Sequence, residues 1–555
     1  MNPKATVRIG MGLVFLFALA SLLPGATTGK IAGRITDKDT GEPLVGANII
    51  IQDTNMGAAT DIDGNFFIIN IPPGRYVVEA RMMGYANTKM ENVQVRTNAT
   101  TTLDFELSPT VIEGETIVVS VDAIATKKDQ TSSIRNVSSD EIELLPVESV
   151  QQVINMQAGV VNGHFRGGRT NEVSYMIDGL QVNDVYNKGR LTNVETEVIQ
   201  DVEVILGTFN AEYGRAMSGV VNAVTKEGGS KLHGMVSGQL GNYYTANSDL
   251  FIGLKASDIT RKTNLRVQLE GPIFKDYLTF FVNYRGRDEA NHLNGIYRFN
   301  PDDYSNFTSL NPEDWYSEHT GDDSHVPMST FTGYSLYGKL TFKPFANLKA
   351  NFILNRTDSE SGSYSHYYKY NPTSRAKNYS EVNTYTFLLN HTLSPRMFHE
   401  FKINYVDNIY NRYLYENPTD PRYVSDWYGF STGPGFSTGS QDKSYVDNKT
   451  KRMDVKWDAT WQVTKNHSLK GGFLLTNHDK DIREHQIVNV FRNNDIDRMR
   501  DTLWTPEGDI EKIMYPWYEP EILDDSTTYS NIYRKQPVEL SAYFQDKMEF
   551  NDFVI

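Results

Sequence analysis

Along the last three-fifths of the chain, apolar and polar residues alternate with a period of two. Met453, Val455, Trp457, Ala459, Trp461 and Val463 interleave with Asp454, Lys456, Asp458, Thr460 and Gln462. Successive strand side chains point to opposite faces, so this reads as one lipid-facing and one lumen-facing edge. A less regular alternation recurs at 265–269, 278–284, 334–342, 348–354, 401–405 and 538–544. Short turns join these segments at 271–276, 344–346, 394–396 and 465–466, while long polar, aromatic loops occupy about 288–333, 358–380, 417–450 and 481–536. Short turns on one side and long loops on the other predict an outer-membrane barrel. A soluble sandwich, the competing reading, would not keep its long loops to one side.

The N-terminal part has a different texture. Lys4 and Arg8, the apolar run Ile9 to Leu23 and then Pro24-Gly25-Ala26 make a secretory signal peptide over 1–26, too short for a spanning helix. From 28 to 108, short alternating strands at 30–35, 47–51, 65–69, 76–80 and 101–107 are separated by turn residues, predicting a small antiparallel β-sandwich. Asp61 and Asp63 before Gly64 suit a hairpin turn better than a calcium loop, whose later ligands are missing. The linker 109–128 holds one apolar island, Glu115, Thr116, Ile117, Val118, Val119, Ser120 and Val121. Such an island pairs either with another protein's sheet edge or with the edge of the sandwich itself.

Composition narrows the function. A net charge of −15 and the lack of any basic cluster argue against a nucleic-acid partner. With no cysteine there are no disulfides, thiolate nucleophiles or Cys-based metal sites. No two histidines stand at the His-x-x-x-His spacing that would anchor zinc, so neither metal nor cofactor is expected. Gly-x-Ser-x-Gly occurs twice, at 429–433 and 435–439, but in a loop between strands, away from the strand-turn-helix elbow that gives the motif its chemistry. The chain reads as a non-enzyme. The 32 Tyr and 27 Phe in a polar chain fit membrane girdles and loop surfaces that meet sugars or peptides.

Three segments, "SVQQVINMQAGVV", "FRGGRTNEVSYMIDGLQVND" and "IQDVEVILGTFNAEYGRAMSGVVNAVTKEGG", follow one another between 149 and 229. Together they resemble the plug domain of TonB-dependent outer-membrane receptors, a likeness that extends on to residue 555. The earlier stretch "GRITDKDTGEPLVGANIIIQDTNMGAATDIDGNFFIINIPPGRYVVEARMMGY" resembles the carboxypeptidase regulatory-like domain, a transthyretin-type sandwich, which points to the Bacteroidetes-type branch of these receptors. The fold class expected is therefore all-β dominated: the sandwich, a mixed α+β plug over 129–228, and over 229–555 the N-terminal half of a barrel of about 22 strands. About ten strands follow Lys231, with another starting at Phe553, so the natural protein is expected to continue past Ile555 and this stretch alone to aggregate.

The resemblance implies more. The island Glu115 to Val121 falls where the family keeps its TonB box. Arg166, Gly167, Gly168 and Arg169 match its arginine-glycine plug motif, with Asp178 and Gly179 in a buried strand turn. For Arg166 and Arg169 we expect lumen partners such as Asp454, Asp458 and Glu539, because buried charge must be paired. Since the outer membrane has no ATP, the expected function is energy-coupled uptake of a large or scarce nutrient (oligosaccharide, peptide or metal chelate) by plug rearrangement. TonB with ExbB and ExbD would power it, and a surface lipoprotein is a further possible partner. The sandwich is expected in the periplasm and the barrel among outer-membrane lipids. The alternative is a surface binding or secretion-associated protein without transport. Tyr367, Tyr368, Trp427, Tyr428 and Trp517 are the ligand-binding candidates, unless these rings serve to pack the loops.

Overall fold

Alternating residues can bury one strand face only if a second layer covers it, and the computed structural model shows what covers each. It describes residues 28–548 apart from 55, 111–115, 121–132, 185, 187–188, 208, 256, 430–434, 465, 492–498, 506–507 and 515–517. The signal-peptide segment, Glu115, Val121, Trp517 and the strand expected at Phe553 lie outside the described residues.

The sandwich is built from β1 (Gly29–Asp37), β2 (Asn48–Ile51), β3 (Gly57–Ala59), β4 (Asn65–Ile71), β5 (Gly74–Arg81), β6 (Asn87–Val95), β7 (Thr100–Thr102), β8 (Phe105–Leu107) and β9 (Thr116–Ser120). One sheet centres on β1, antiparallel to β4 but parallel to both β7 and β8; the other runs β3-β2-β5-β6-β9. Ile31, Ile35, Ile49, Ile51, Val78, Val93 and Phe105 fill the space between. The purely antiparallel expectation is thus corrected. The stretch expected as one strand over 101–107 is split because the Asp104 carboxylate takes the Arg34 N–H at 2.8 Å, replacing a ladder carbonyl. At the Asp61 turn, that side chain accepts the N–H groups of Asp63 and Asn65 at 3.0 and 2.8 Å.

The plug follows as β10 (Ser133–Ser138), α1 (Ser139–Glu143), α2 (Val150–Asn155), β11 (Val173–Ile177), β12 (Leu180–Gln181), β13 (Ile199–Leu206) and β14 (Gly219–Thr225). Both helices start at a reciprocal cap, Ser138 with Glu141 and Ser149 with Gln152. The sheet order is β10-β13-β14-β11-β12. Strands β13 and β14 are buried along almost their whole length, with Asp201, Glu203 and Asn222 buried among their apolar residues.

Then come β15 (His233–Gly241), β16 (Lys262–Phe274), β17 (Leu278–Ala290), β18 (Thr330–Phe345), β19 (Leu348–Ser361), β20 (Lys377–Ser394), β21 (Met397–Tyr413), β22 (Ser444–Gln462), β23 (His467–Gln486), β24 (Ser530–Lys535) and β25 (Val538–Met548). They form one antiparallel sheet in chain order, with β24 and β25 both pairing with β23. Leu265, Phe352, Met453 and Trp461 are exposed on its outer face, while Asn283, Arg285, Lys402 and Asp454 are buried against the plug. The all-β architecture of sandwich, plug and barrel-type sheet is as expected. No helix among the described residues is long and apolar enough to cross a membrane.

Candidate functional site

The centre of the plug is the turn at Asp178-Gly179, where both residues adopt positive φ, 48° and 76°. Glycine bears this freely; Asp178 is held there by its buried carboxylate, which accepts the Thr225 N–H at 2.9 Å and the Thr225 hydroxyl at 2.7 Å. The Gly179 N–H donates to Asn222 Oδ1 at 3.1 Å. From the barrel wall, Lys402 Nζ donates to the Asp178 carbonyl at 3.0 Å and Lys456 Nζ to the Gly179 carbonyl at 3.2 Å. Arg452 Nη1 reaches the Asn183 carbonyl at 2.9 Å.

Around this turn, wall cations meet plug carboxylates. Buried Arg285 donates to Glu195 at 2.7 Å and to Glu148 at 2.8 Å, while its Nε meets Asn264 at 3.1 Å. Lys480 pairs with Asp184 at 2.6 Å, Lys470 with Glu212 at 2.5 Å and Lys349 with Glu227 at 2.8 Å. Burial opposes the charge on Glu227, but Lys349, Lys339 and Lys343 outweigh it and hold its pKa at about 2.

For Arg166 and Arg169 this polarity reverses the one expected, whereas Arg215 of the plug does meet a wall acid, Glu539. Arg166 stays exposed, its Nη2 donating to Ser133 Oγ at 2.9 Å within the plug, and the Arg169 N–H donates to Glu172 at 3.0 Å. The lumen acids proposed for them are engaged elsewhere: Asp454 by Arg452 at 2.8 Å, Asp458 by Lys456 at 3.0 Å and Glu539 by Arg215. The intervening glycines answer a steric demand. Gly167 has φ 80°, and a Cβ on Gly168 would lie 2.4 Å from the Ser218 Cβ. Sequence reasoning missed Arg285, Lys402 and Lys456, although their inward positions in alternating strands marked them as lumen residues.

The sandwich sits against this assembly. Asn70 Nδ2 donates to Asn390 Oδ1 at 2.7 Å and Thr392 Oγ1 at 2.8 Å at the end of β20. Arg96 Nη1 donates to the Asn136 carbonyl at 2.6 Å, and Asn98 Nδ2 to the Glu203 carboxylate at 3.2 Å. Burial, together with Glu212 and Asp201, pushes Glu203 up to about 8 despite Asn98 and Lys470. The island residues Thr116 to Ser120 form β9 on the sandwich edge, parallel to β6.

Among the ligand candidates, Tyr367 and Trp427 are about half exposed, whereas Tyr428 is buried. Tyr367 lies edge-on to Tyr368, whose hydroxyl burial raises to about 12. Phe436 contacts both His366 and Tyr370, and the Ser437 N–H donates to the Tyr367 carbonyl at 2.7 Å. Most of these rings therefore knit two loops together, while Tyr367 and Trp427 stay about half exposed. Ser437, in the second Gly-x-Ser-x-Gly, is buried and donates to the Gly439 carbonyl at 2.6 Å. Among the described residues, no group of acidic or histidine side chains is arranged to hold a metal ion.

Residues 31–119 match the CarboxypepD_reg-like domain, and 126–221 the TonB-dependent Receptor Plug Domain. The chain is 24% identical over 362 residues to the TonB-dependent transporter Oar of Myxococcus xanthus, covering 61% of this chain and 34% of that protein. Against the TonB-dependent receptor SusC of Bacteroides thetaiotaomicron it is 27% identical over 220 residues, 36% of this chain and 21% of the relative. The chain thus spans about a third or less of the length of these relatives. The unliganded ferric citrate transporter FecA superposes with a TM-score of 0.48 at 12% identity, over 76% of this chain and 55% of that one.

Proposed function

Because this chain belongs to the TonB-dependent receptors, with a carboxypeptidase regulatory-like domain ahead of its plug, we propose that it serves in energy-coupled import across the outer membrane. Its cargo is a large or scarce nutrient: an oligosaccharide, a peptide or a metal chelate. The observation that carries this reading is the seated plug. Cations and amides of the barrel wall grip it from the Asp178-Gly179 turn to Glu227, so a solute cannot pass until those contacts rearrange.

Thermal fluctuation breaks one such contact readily but not the set together, so the rearrangement needs work from outside. In this reading TonB, driven by ExbB and ExbD, supplies it through the strand Thr116–Ser120 from the periplasmic side, where the sandwich lies. Ligand enters from the loop side, where the half-exposed ring of Tyr367 offers a stacking surface for sugar rings or peptide side chains.

The test uses the full-length protein in cells and labelled oligosaccharide and peptide pools. Val118→Pro removes a main-chain donor from the coupling strand. Surface binding should persist while accumulation in the periplasm stops. Wild-type accumulation by a variant shown to be inserted would overturn the coupling role of this strand, and accumulation that survives loss of the proton gradient would favour a passive protein.

A further inference from the structure

The strand read above as the coupling element is already part of a sheet. Thr116 to Ser120 pair in parallel, residue for residue, with Asn87 to Glu91. Strand addition works through the main-chain N–H and C=O groups of one strand edge, and β9 has committed one of its two edges to β6.

The holder is itself anchored. Asn70 binds the barrel turn at Asn390 and Thr392, Arg96 binds β10 at the Asn136 carbonyl, and Asn98 binds Glu203 within β13. While β9 stays on β6, a pull on it is therefore borne by the sandwich and shared among its side-chain contacts with the barrel rim and with β10 and β13 of the plug. Only after β9 leaves β6 does the load pass along the main chain itself to β10, the edge strand of the plug sheet. β9 is only five residues long and lies at a sheet edge, and parallel pairing is the less stable kind.

We propose that the regulatory-like sandwich is an autoinhibitory holder: it sequesters the coupling strand on β6, and the energy-transducing partner must take β9 by strand exchange before force runs along the main chain into the plug. This rests on the coupling role proposed above. It assigns the sandwich a task, that of keeping the chain between β9 and β10 unloaded until a partner strand has displaced β6. Adding the partner's strand to the outer edge of β9 without displacement is the competing geometry, and it would spread the force over the sandwich's side-chain contacts with the barrel rim and the plug.

The 555 residues hold no cysteine, so within them an introduced pair forms a single intramolecular disulfide. Lys89 and Val118 are register partners, and Val118 is exposed. Lys89 can be replaced because Glu79, its partner at 4.0 Å, keeps Arg81 at 2.8 Å and Gln52 at 2.9 Å. The full-length Lys89→Cys/Val118→Cys protein in outer-membrane vesicles is oxidised, and the purified periplasmic domain of TonB is the probe.

The disulfide should form under mild oxidation, as it should in a control pair, Arg75→Cys/Gln94→Cys, within the sandwich. Probe binding should fall roughly tenfold or more on oxidation and return on reduction, because a locked β9 cannot exchange strands. The control pair should bind the probe equally in both states. Failure of the Lys89/Val118 pair to cross-link while the control does so would overturn the sequestration. Equal binding by the oxidised and reduced proteins would overturn the exchange requirement and favour addition to the outer edge. Absence of binding in both states, with the disulfide formed, would instead remove the coupling role itself, and the holder with it.

Discussion

Replacing Arg285 by methionine should loosen the plug more than any other single change in the wall. The guanidinium is almost wholly buried and serves three acceptors, Glu195, Glu148 and Asn264. They differ in worth. Glu148 is 57% exposed, so water screens that pair to about 0–1 kcal/mol. Glu195 is only 15% exposed and bonded at 2.7 Å, so it carries most of the effect. Losing one partner of such a buried pair costs about 3–5 kcal/mol, chiefly because the other charge is left uncompensated. That corresponds to roughly two to three and a half powers of ten in the population of a locally opened plug. Two assays on the full-length protein read it: amide exchange over 195–206, and susceptibility of cells to an antibiotic too large for ordinary porins. Both should rise in Arg285→Met, and the second change Glu195→Gln should recover a substantial part by removing the stranded charge. Wild-type exchange and susceptibility in the single variant, or a double variant no better than the single, would refute the reasoning.

Three further changes test other parts of the same argument. Gly168→Val drives a Cβ to 2.4 Å from the Ser218 Cβ and should cost about 1–3 kcal/mol, seen as a lower melting temperature of the plug. Asp178→Ala strips the Thr225 N–H and hydroxyl of their acceptor and should cost about 1–3 kcal/mol, with faster exchange of the Thr225 amide as the readout. Glu203 keeps its proton up to about pH 8 in the folded protein, whereas an unfolded glutamate, with its pKa near 4.5, does not, so this residue's contribution to stability falls as pH rises from about 5 to 8. Glu227, held at about 2, is ionised in both states across that window, so Glu203→Gln should flatten the pH dependence of exchange protection in β13.

Where one face meets lipid, the sequence announced its strands well. Met453 to Val463 was legible because the bilayer demands an apolar residue at every second position. The same strand, however, begins at Ser444 and β20 begins at Lys377. These extensions are held by the main-chain ladder and by polar and aromatic pairs such as Tyr379 stacked on Tyr413, and with no lipid to face they carry no periodic signal. The sandwich edge was one of two places the sequence offered for β9, but β6 itself was not among the predicted strands, and parallel pairing between segments some 30 residues apart leaves no turn signature. The turn at Asp178-Gly179 was legible from local chemistry, but its lysine clamp was not, since Lys402 and Lys456 are more than 200 residues away in the chain.

The wall cations of the lumen bear on how such a plug can open. They make two kinds of contact. Lys402, Arg452 and Lys456 give hydrogen bonds to plug carbonyls, yet each has its own carboxylate two residues along the same strand: Glu400 at 2.9 Å, Asp454 at 2.8 Å and Asp458 at 3.0 Å. If the Asp178-Gly179 turn withdraws, these cations keep their counter-charges and only neutral acceptors must find water, about 1.5–3 kcal/mol apiece because the donors are charged. Arg285, Lys470 and Lys480 are different, because their close carboxylates, Glu195, Glu212 and Asp184, belong to the plug. Separating those pairs strands charge on both sides, at several kcal/mol each until water enters. The plug therefore has a soft seam along the turn and hard latches around it, so a pull of limited work opens the seam first and leaves the rest of the plug in place. A plug expelled whole would have to break both kinds at once. Energised cells should accordingly show faster amide exchange at 176–183 than at 195–206, and equal acceleration of the two stretches would mean that the latches yield together with the seam.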